Sequence, residues 1–499
     1  MTRHHAGSSP LDEKVRSSLR WSFANQMLLR LAMVLSGIAL ARVLAPADFG
    51  VYAVALAVTN ILMSFNDVGM GFAIVRWRGD VAAAASTAQT IVGVTSIVLY
   101  TACFAGSSAL ADGFDSPESA GVLRLLSSIL LIDGIITVPR GLLYREFRQD
   151  RLTVGEVASI PVSVSVSIGA AVAGAGAWSL AFGTLAGALV NGSLVLKLAP
   201  FVPRPAFDRQ VAAQLMRFGI PLGGGSLVEH TLLNIDYLII GSILGPVPLG
   251  FYLLAFNISS WPSTVMTQAI RRVSIAGFSE LSDDDAAWKA GFAHSFGVLV
   301  TLLVPMVAGL VVLAGPVVLF VYGDKWLASV ETLRFLAVLG GARVLSGFVW
   351  DLLVGLGRSQ LALFIRLIWL AVLLPALIIG TNRGDIRGTA LAHSVVALGL
   401  ALPLFALVLA HIGVDLRALA GRVTRPLMGA AAASLVGLGT LAALDATTGT
   451  GAALGPNLLR ILVVGPLMLG AHALIAVGWR NIRSGGWLRP ASDREGLGV

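Results

Sequence analysis

The chain has 499 residues, of which 56% are apolar and 12% charged, with a formal net charge of +8 and a mean hydropathy of +0.84. Soluble domains carry about 25% charged residues, so a soluble enzyme, a disulfide-stapled secreted domain and a disordered tail are all excluded. The charges gather in short clusters between apolar stretches, each long enough to cross a hydrocarbon core of about 30 Å, and the expected fold class is an all-α polytopic membrane protein.

A polar segment over 1–20 precedes the first apolar stretch. Hydropathy with loop punctuation predicts membrane helices near 21–44, 49–75, 84–107, 120–143, 153–174, 177–199 and 214–244. A second set follows near 248–275, 291–322, 327–356, 360–381, 386–411, 422–444 and 456–479, making fourteen. The pair around Gly174–Ala177 requires a reversal within two or three residues, for which Gly174 and Gly176 are suited. The expected organisation is an N-lobe over 21–199 (helices 1–6), a cytoplasmic linker over 200–213 and a C-lobe over 214–411 (helices 7–12). Helices 13 and 14 follow within 412–480, and a cytoplasmic tail over 481–499.

Orientation follows from the basic residues. With a cytoplasmic N-terminus, 25 of the 35 Lys and Arg fall in inside segments, five in outside segments and five within spans. That split obeys the positive-inside rule, and one missed helix would invert every later loop, so both termini are expected in the cytoplasm. The same bias accounts for the net charge without nucleic acid. The single cysteine, Cys103, lies in an apolar run, which leaves no disulfide framework and no thiolate metal site. The longest outer loop, around Ser107–Ser119, holds about a dozen residues, including Asp112, Asp115 and Glu118.

An offset of 200 residues aligns Leu44, Pro46, Gly50, Tyr52 and Ala55 with Leu244, Pro246, Gly250, Tyr252 and Ala255 without a gap. Such self-similarity marks an internal repeat. Six helices separate the copies, so they share one orientation. The expectation is therefore two parallel, pseudo-symmetric bundles about an axis along the membrane normal, with a substrate cleft between them.

Charges within spans cost about 2.5–3.5 kcal/mol each on insertion scales and require a partner or a wet cavity. Asn25, Gln26 and Arg30 mark one face of helix 1, and Asn60, Ser64, Asp67 and Gly71 a face of helix 2. Helix 7 carries Glu229, His230, Asn234 and Asp236, and helix 10 carries Arg334, Arg343 and Asp351. Arg30, Asp67 and Asp236 share faces with other polar groups and are expected to line a hydrated lumen, with His230 as a candidate proton carrier. Arg366, Arg124 and Asp133 lie near helix ends, where snorkelling is expected, and Arg334 pairs with Glu331 at i, i+3. The serine row Ser159, Ser163, Ser167 and Gly183-x-x-x-Gly187 read as packing contacts. Pro221, Gly223, Gly224 and Gly225 form a pliable entry to helix 7, a candidate hinge or broken start. No phosphate loop, zinc-protease helix, nucleophile elbow or dinucleotide fingerprint occurs. An enzyme, a cofactor and a metal are therefore not expected, and transport must draw on an ion gradient, membrane potential or substrate gradient.

Leu19-Arg-Trp-Ser22, Leu40-Ala-Arg-Val-Leu-Ala-Pro-Ala-Asp-Phe-Gly-Val-Tyr52 and Asp67-Val-Gly-Met-Gly-Phe-Ala-Ile-Val-Arg76 resemble the start of a Wzx-type polysaccharide flippase. So do Arg217-Phe-Gly-Ile-Pro-Leu222 and Asn234-Ile-Asp-Tyr-Leu-Ile-Ile-Gly-Ser-Ile-Leu-Gly-Pro246. The likeness is to the colanic and teichuronic acid exporter branch of the MOP exporter superfamily; its motifs cover helices 1–2 and 7–8. It implies a fourteen-helix transporter in the bacterial cytoplasmic membrane that moves a polyprenyl-diphosphate-linked oligosaccharide outward by alternating access. A polysaccharide polymerase or glycosyltransferases would be its partners. In that reading Arg30 and Arg343 offset phosphate or uronate charge, while Asp67, Glu229 and Asp236 orient the arginines or couple cations. The rivals are a lipid II flippase, a drug/cation antiporter of the same superfamily, which predicts twelve helices, and a glycan polymerase or ligase, which needs a larger outer loop.

Overall fold

The computed structural model describes residues 34–67, 69–201, 204, 206–264, 266, 285–448 and 453–478. No strand occurs among them. The helices are α1 (Val34–Val43), α2 (Pro46–Asp67), α3 (Met70–Arg76), α4 (Val81–Gly113), α5 (Ser119–Arg145), α6 (Gln149–Val172), α7 (Ala177–Leu198) and α8 (Arg209–Leu244). Then come α9 (Pro246–Ser259), α10 (Asp285–Val312), α11 (Ala314–Val321), α12 (Ser329–Gly355), α13 (Ser359–Val396), α14 (Leu402–His411), α15 (Leu416–Thr448) and α16 (Leu454–Ala476).

Eleven helices among the described residues are long and apolar enough to cross a membrane, and one of them, Gln360–His411, covers two expected spans. The first and eighth expected spans are described only in part, by α1 and α9. In the described residues each of the fourteen expected spans is helical over most of its length, with local differences that have physical causes. Expected span nine breaks at Leu313, whose φ is −91° and ψ 9°. Pro316 stands four residues beyond Val312, where its ring crowds the Val312 carbonyl and it has no N–H to donate to it, which favours a break there. Span two breaks into α2 and α3 at Gly69, with φ 70°. The eleventh and twelfth spans run together as α13 but turn at Gly384 and Asp385, which leave helical geometry; the hydroxyls of Thr381 and Thr389 meet across that turn at 2.8 Å.

The chain divides into two compact units, the first holding α1 with 58–110 and 118–224, the second 46–57, 111–117 and the chain from 225 onward. In the first unit Met70, Ile74, Val92, Val138, Leu142 and Leu215 pack together, joining α3, α4, α5 and α8. Gly174 and Gly176 take φ of 84° and 53° and reverse the chain between α6 and α7 within the expected few residues. Those helices then lie close, because a Cβ on Gly183 or Gly187 would press on Ser163 and, at Gly183, on Ser167. The serine row is packing.

In the second unit Phe292, Phe296, Phe348, Leu303, Leu352, Leu353, Ile365 and Phe405 form the core. Trp326 is fully buried, with its ring 5.1 Å from Phe49 and 5.9 Å from Phe251. The repeat has a direct structural meaning in this unit. A Cβ on Gly50 would collide with the carbonyl of Pro246, and a Cβ on Gly250 with the carbonyl of Pro46. The two Pro-x-x-x-Gly turns therefore pack on each other reciprocally, each glycine admitting the other copy's proline backbone.

One expectation about α8 needs correction. The helix has no broken start; it runs unbroken from Arg209 through Pro221–Gly225 to Leu244. It begins earlier than expected because Asp208 caps it, its Oδ1 accepting the backbone N–H groups of Gln210 (2.7 Å) and Val211 (3.1 Å). The boundary between the two units falls within this helix, between Gly224 and Gly225.

Candidate functional site

Within the second unit, α12, α13 and the second half of α8 place polar side chains around one cavity of 360 Å³. Arg343, Ser346 or Gly347, and Asp351 recur at helical spacing on α12, Arg366 and Trp369 share a face of α13, and Glu229 and Leu233 a face of α8. His393 enters from the far end of α13, and Phe348 and Phe405 supply apolar wall.

Two guanidiniums are held by aromatic rings. Arg366 donates to Glu229 at 2.9 Å and lies 3.4 Å over the Trp350 ring; Arg343 lies 4.9 Å from the ring centre of Phe256. Such stacking fixes a guanidinium while leaving its N–H edge for an anion. Behind the cavity, Asp236 is fully buried. It accepts the Tyr252 hydroxyl at 2.8 Å and the backbone N–H of Tyr237 at 3.0 Å, and His393 Nδ1 stands 3.7 Å from its Oδ2.

Two residues lining the cavity carry buried polar atoms without a hydrogen-bond partner, Ser346 Oγ and Trp369 Nε1; a third, His393 Nδ1, also makes no hydrogen bond but faces Asp236 Oδ2. An unpaired buried donor or acceptor costs about 1–3 kcal/mol, and native structures rarely leave one unexplained. The two beside one cavity, with two arginines, suit an occupant that would supply their partners. The fork of a guanidinium suits phosphate or carboxylate, the carboxylates of Glu229 and Asp351 accept hydroxyls, and the rings offer apolar faces.

Of the residues singled out in the sequence, Glu229, Arg343 and Asp351 are thus brought together, and Asp236 stands one layer behind them. His230 is exposed, and its backbone carbonyl accepts the Asn234 amide at 2.8 Å; the buried histidine beside Asp236 is His393. Arg366 does not snorkel, because Glu229 and Trp350 hold it at the cavity. Asn25, Gln26 and Arg30 lie outside the described residues. Asp67 is half-buried and accepts the backbone N–H of Gly71 at 3.1 Å, bridging the break between α2 and α3.

Its neighbour Asn66 is the enclosed one. Asn66 is buried, donates to Asp133 at 3.1 Å and to the Leu130 carbonyl at 3.2 Å, and accepts from Ser96 at 2.7 Å. Asp133 does not snorkel either; it is 6% exposed and is also met by Thr137 and Arg140. Arg124 is exposed and donates to Ser107 and Ser108, and Arg334 pairs with Glu331 at 2.6 Å as its spacing implies. His393, Trp369 and Ser346 carried no sequence signal, and Arg366, visible as a charge within a span, was expected to snorkel; each acquires its meaning from helices distant in the chain.

The sequence profile of the family described as "Polysaccharide biosynthesis protein" matches residues 39–331, more than half of the chain. The chain belongs to this family. Proteins with similar sequences include "Lipopolysaccharide biosynthesis protein WzxC" of Escherichia coli (strain K12), 25% identical over 77% of this chain and 79% of the relative. A second, "Succinoglycan biosynthesis transport protein ExoT" of Rhizobium meliloti (strain 1021), is 25% identical over 70% of each. Among solved structures, "Lipid II flippase MurJ, inward closed conformation" matches 92% of this chain and 100% of its own with a TM-score of 0.72 at 12% identity. That likeness establishes a shared fold for this family member.

Proposed function

We propose that the protein is a flippase of the bacterial cytoplasmic membrane that carries a polyprenyl-diphosphate-linked oligosaccharide outward by alternating access. The observation that carries this reading is the cavity of the second unit, where Arg343 and Arg366 stand among unpartnered donors in an apolar bundle. Hydrocarbon cannot solvate a diphosphate or a sugar, so a head group that crosses needs such a lining, while its polyprenyl tail stays in the bilayer. Glu229 and Asp351 suit sugar hydroxyls, and Trp369 and Phe405 suit the apolar face of a pyranose. Relatives named for lipopolysaccharide biosynthesis and succinoglycan transport support a substrate of this kind. From the sequence, Arg30 and Asp67 are further candidates for contact with the substrate, and Pro221 with Gly223, Gly224 and Gly225 for a hinge in α8. Movement would be driven by a gradient or membrane potential, with both termini in the cytoplasm.

The test is export in a strain lacking the gene. Arg343→Gln with Arg366→Gln, expressed to the wild-type level in membranes, is expected to abolish surface polysaccharide and cause the lipid-linked oligosaccharide to accumulate on the inner leaflet. Wild-type export by that double variant would refute the assignment.

A further inference from the structure

The first unit holds a second cleft, of 470 Å³, at the end of α3, lined by Arg76, Trp77, Arg78, Gln214, Leu215 and Phe218. A helix C-terminus ordinarily repels anions, but here it is covered. Arg145 NH1 donates to the carbonyls of Ile74 (3.0 Å), Val75 (3.0 Å) and Trp77 (2.7 Å). Arg76 lies 5.4 Å from the ring centre of Phe218. Among the described residues neither Arg76 nor Arg78 has a carboxylate partner, and the buried Trp77 Nε1 has no acceptor. The nearest acid in sequence, Asp80, is occupied by the backbone N–H groups of Ala82 and Ala83 at the start of α4. The floor is apolar, and Phe72, one turn before Arg76, is 60% exposed.

Two uncompensated guanidiniums, an indole N–H lacking an acceptor and a carboxamide form a donor set for a phosphate oxyanion. Tryptophan beside arginine at the end of a membrane helix is the chemistry of the bilayer's headgroup layer. We propose that this cleft binds the phosphate headgroup of a membrane lipid, with the lipid chain lying on the Phe72 side. Two sources share that chemistry: an anionic phospholipid, or the diphosphate of a polyprenyl-linked substrate waiting to enter. Only the second rests on the function proposed above.

The full-length protein in phosphatidylcholine nanodiscs is titrated separately with phosphatidylglycerol and with undecaprenyl diphosphate, bound lipid being counted by native mass spectrometry. Arg76→Gln with Arg78→Gln is expected to weaken binding of at least one lipid about tenfold, and Trp77→Phe, which keeps the ring and removes the donor, by a smaller factor. Arg204→Gln with Arg209→Gln removes equal charge from exposed sites outside the cleft and is expected to leave both affinities within about twofold of wild type. Loss confined to undecaprenyl diphosphate identifies the substrate as the source, and loss confined to phosphatidylglycerol identifies a phospholipid; either supports the site. Unchanged binding in the Arg76/Arg78 variant, or an equal loss in the control pair, overturns it. Binding is read without turnover, so failure here leaves the export test of Arg343 and Arg366 standing, and failure there leaves this one.

Discussion

Asp236 and Glu229 stand seven residues apart on α8, two turns of one helix, yet they do different work. Asp236 has no exposure and two hydrogen bonds, whereas the Glu229 side chain is 49% exposed and pairs with Arg366 at the cavity rim. Truncating a buried carboxylate strands its donors, at a cost of about 2–4 kcal/mol; losing a half-exposed ion pair costs about 0–1 kcal/mol. Asp236→Ala is therefore expected to lower the thermal midpoint in detergent markedly, Asp236→Asn less because the amide oxygen still accepts from Tyr252, and Glu229→Ala little. Equal midpoints for Asp236→Ala and Glu229→Ala would contradict this division. Helical spacing makes both residues conspicuous in the sequence, because charge in an apolar run is rare. It cannot tell rim from interior, since burial depends on α9 and α13. The same limit concealed the partner of Arg366, a carboxylate 137 residues away, and the place of His393 beside Asp236.

At the scale of elements, span positions were legible because hydrocarbon thickness dictates their length. Breaks inside uniformly apolar runs were not, as at Leu313, because hydropathy is blind to a proline in the first turn of α11. The repeat at Pro46–Gly50 and Pro246–Gly250 was visible as pattern, while its cause, the mutual approach of two turns, needed coordinates. The glycines of α8 carry a sharper consequence. An added Cβ at Gly224 or Gly225 would meet nothing within 4 Å, so alanine fits both sites and stiffens the helix by about 1 kcal/mol each. If α8 pivots there, Gly224→Ala with Gly225→Ala raises the thermal midpoint and slows export several-fold. A stabilised variant exporting at the wild-type rate would mean that the helix moves as a rod.

For the whole molecule, the distribution of arginine predicts which face each loop meets, independently of any side-chain contact. Every span crossed inverts the sidedness of the next loop, so two loops on opposite faces test the entire count between them. The turn containing Glu118, before α5, is expected outside; the turn containing Glu146, after it, is expected in the cytoplasm, and both side chains are exposed. The chain offers a clean background, because its one cysteine, Cys103, is buried and Cys103→Ala removes it. In intact spheroplasts a membrane-impermeant maleimide is expected to label Glu118→Cys and to label Glu146→Cys only after permeabilisation. The reverse pattern would place Arg140, Arg145, Arg148 and Arg151 outside, against the positive-inside rule. It would also put the cleft of Arg76 and Trp77 on the outer face, where a lipid-linked precursor made in the cytoplasm would meet it as product instead of as substrate.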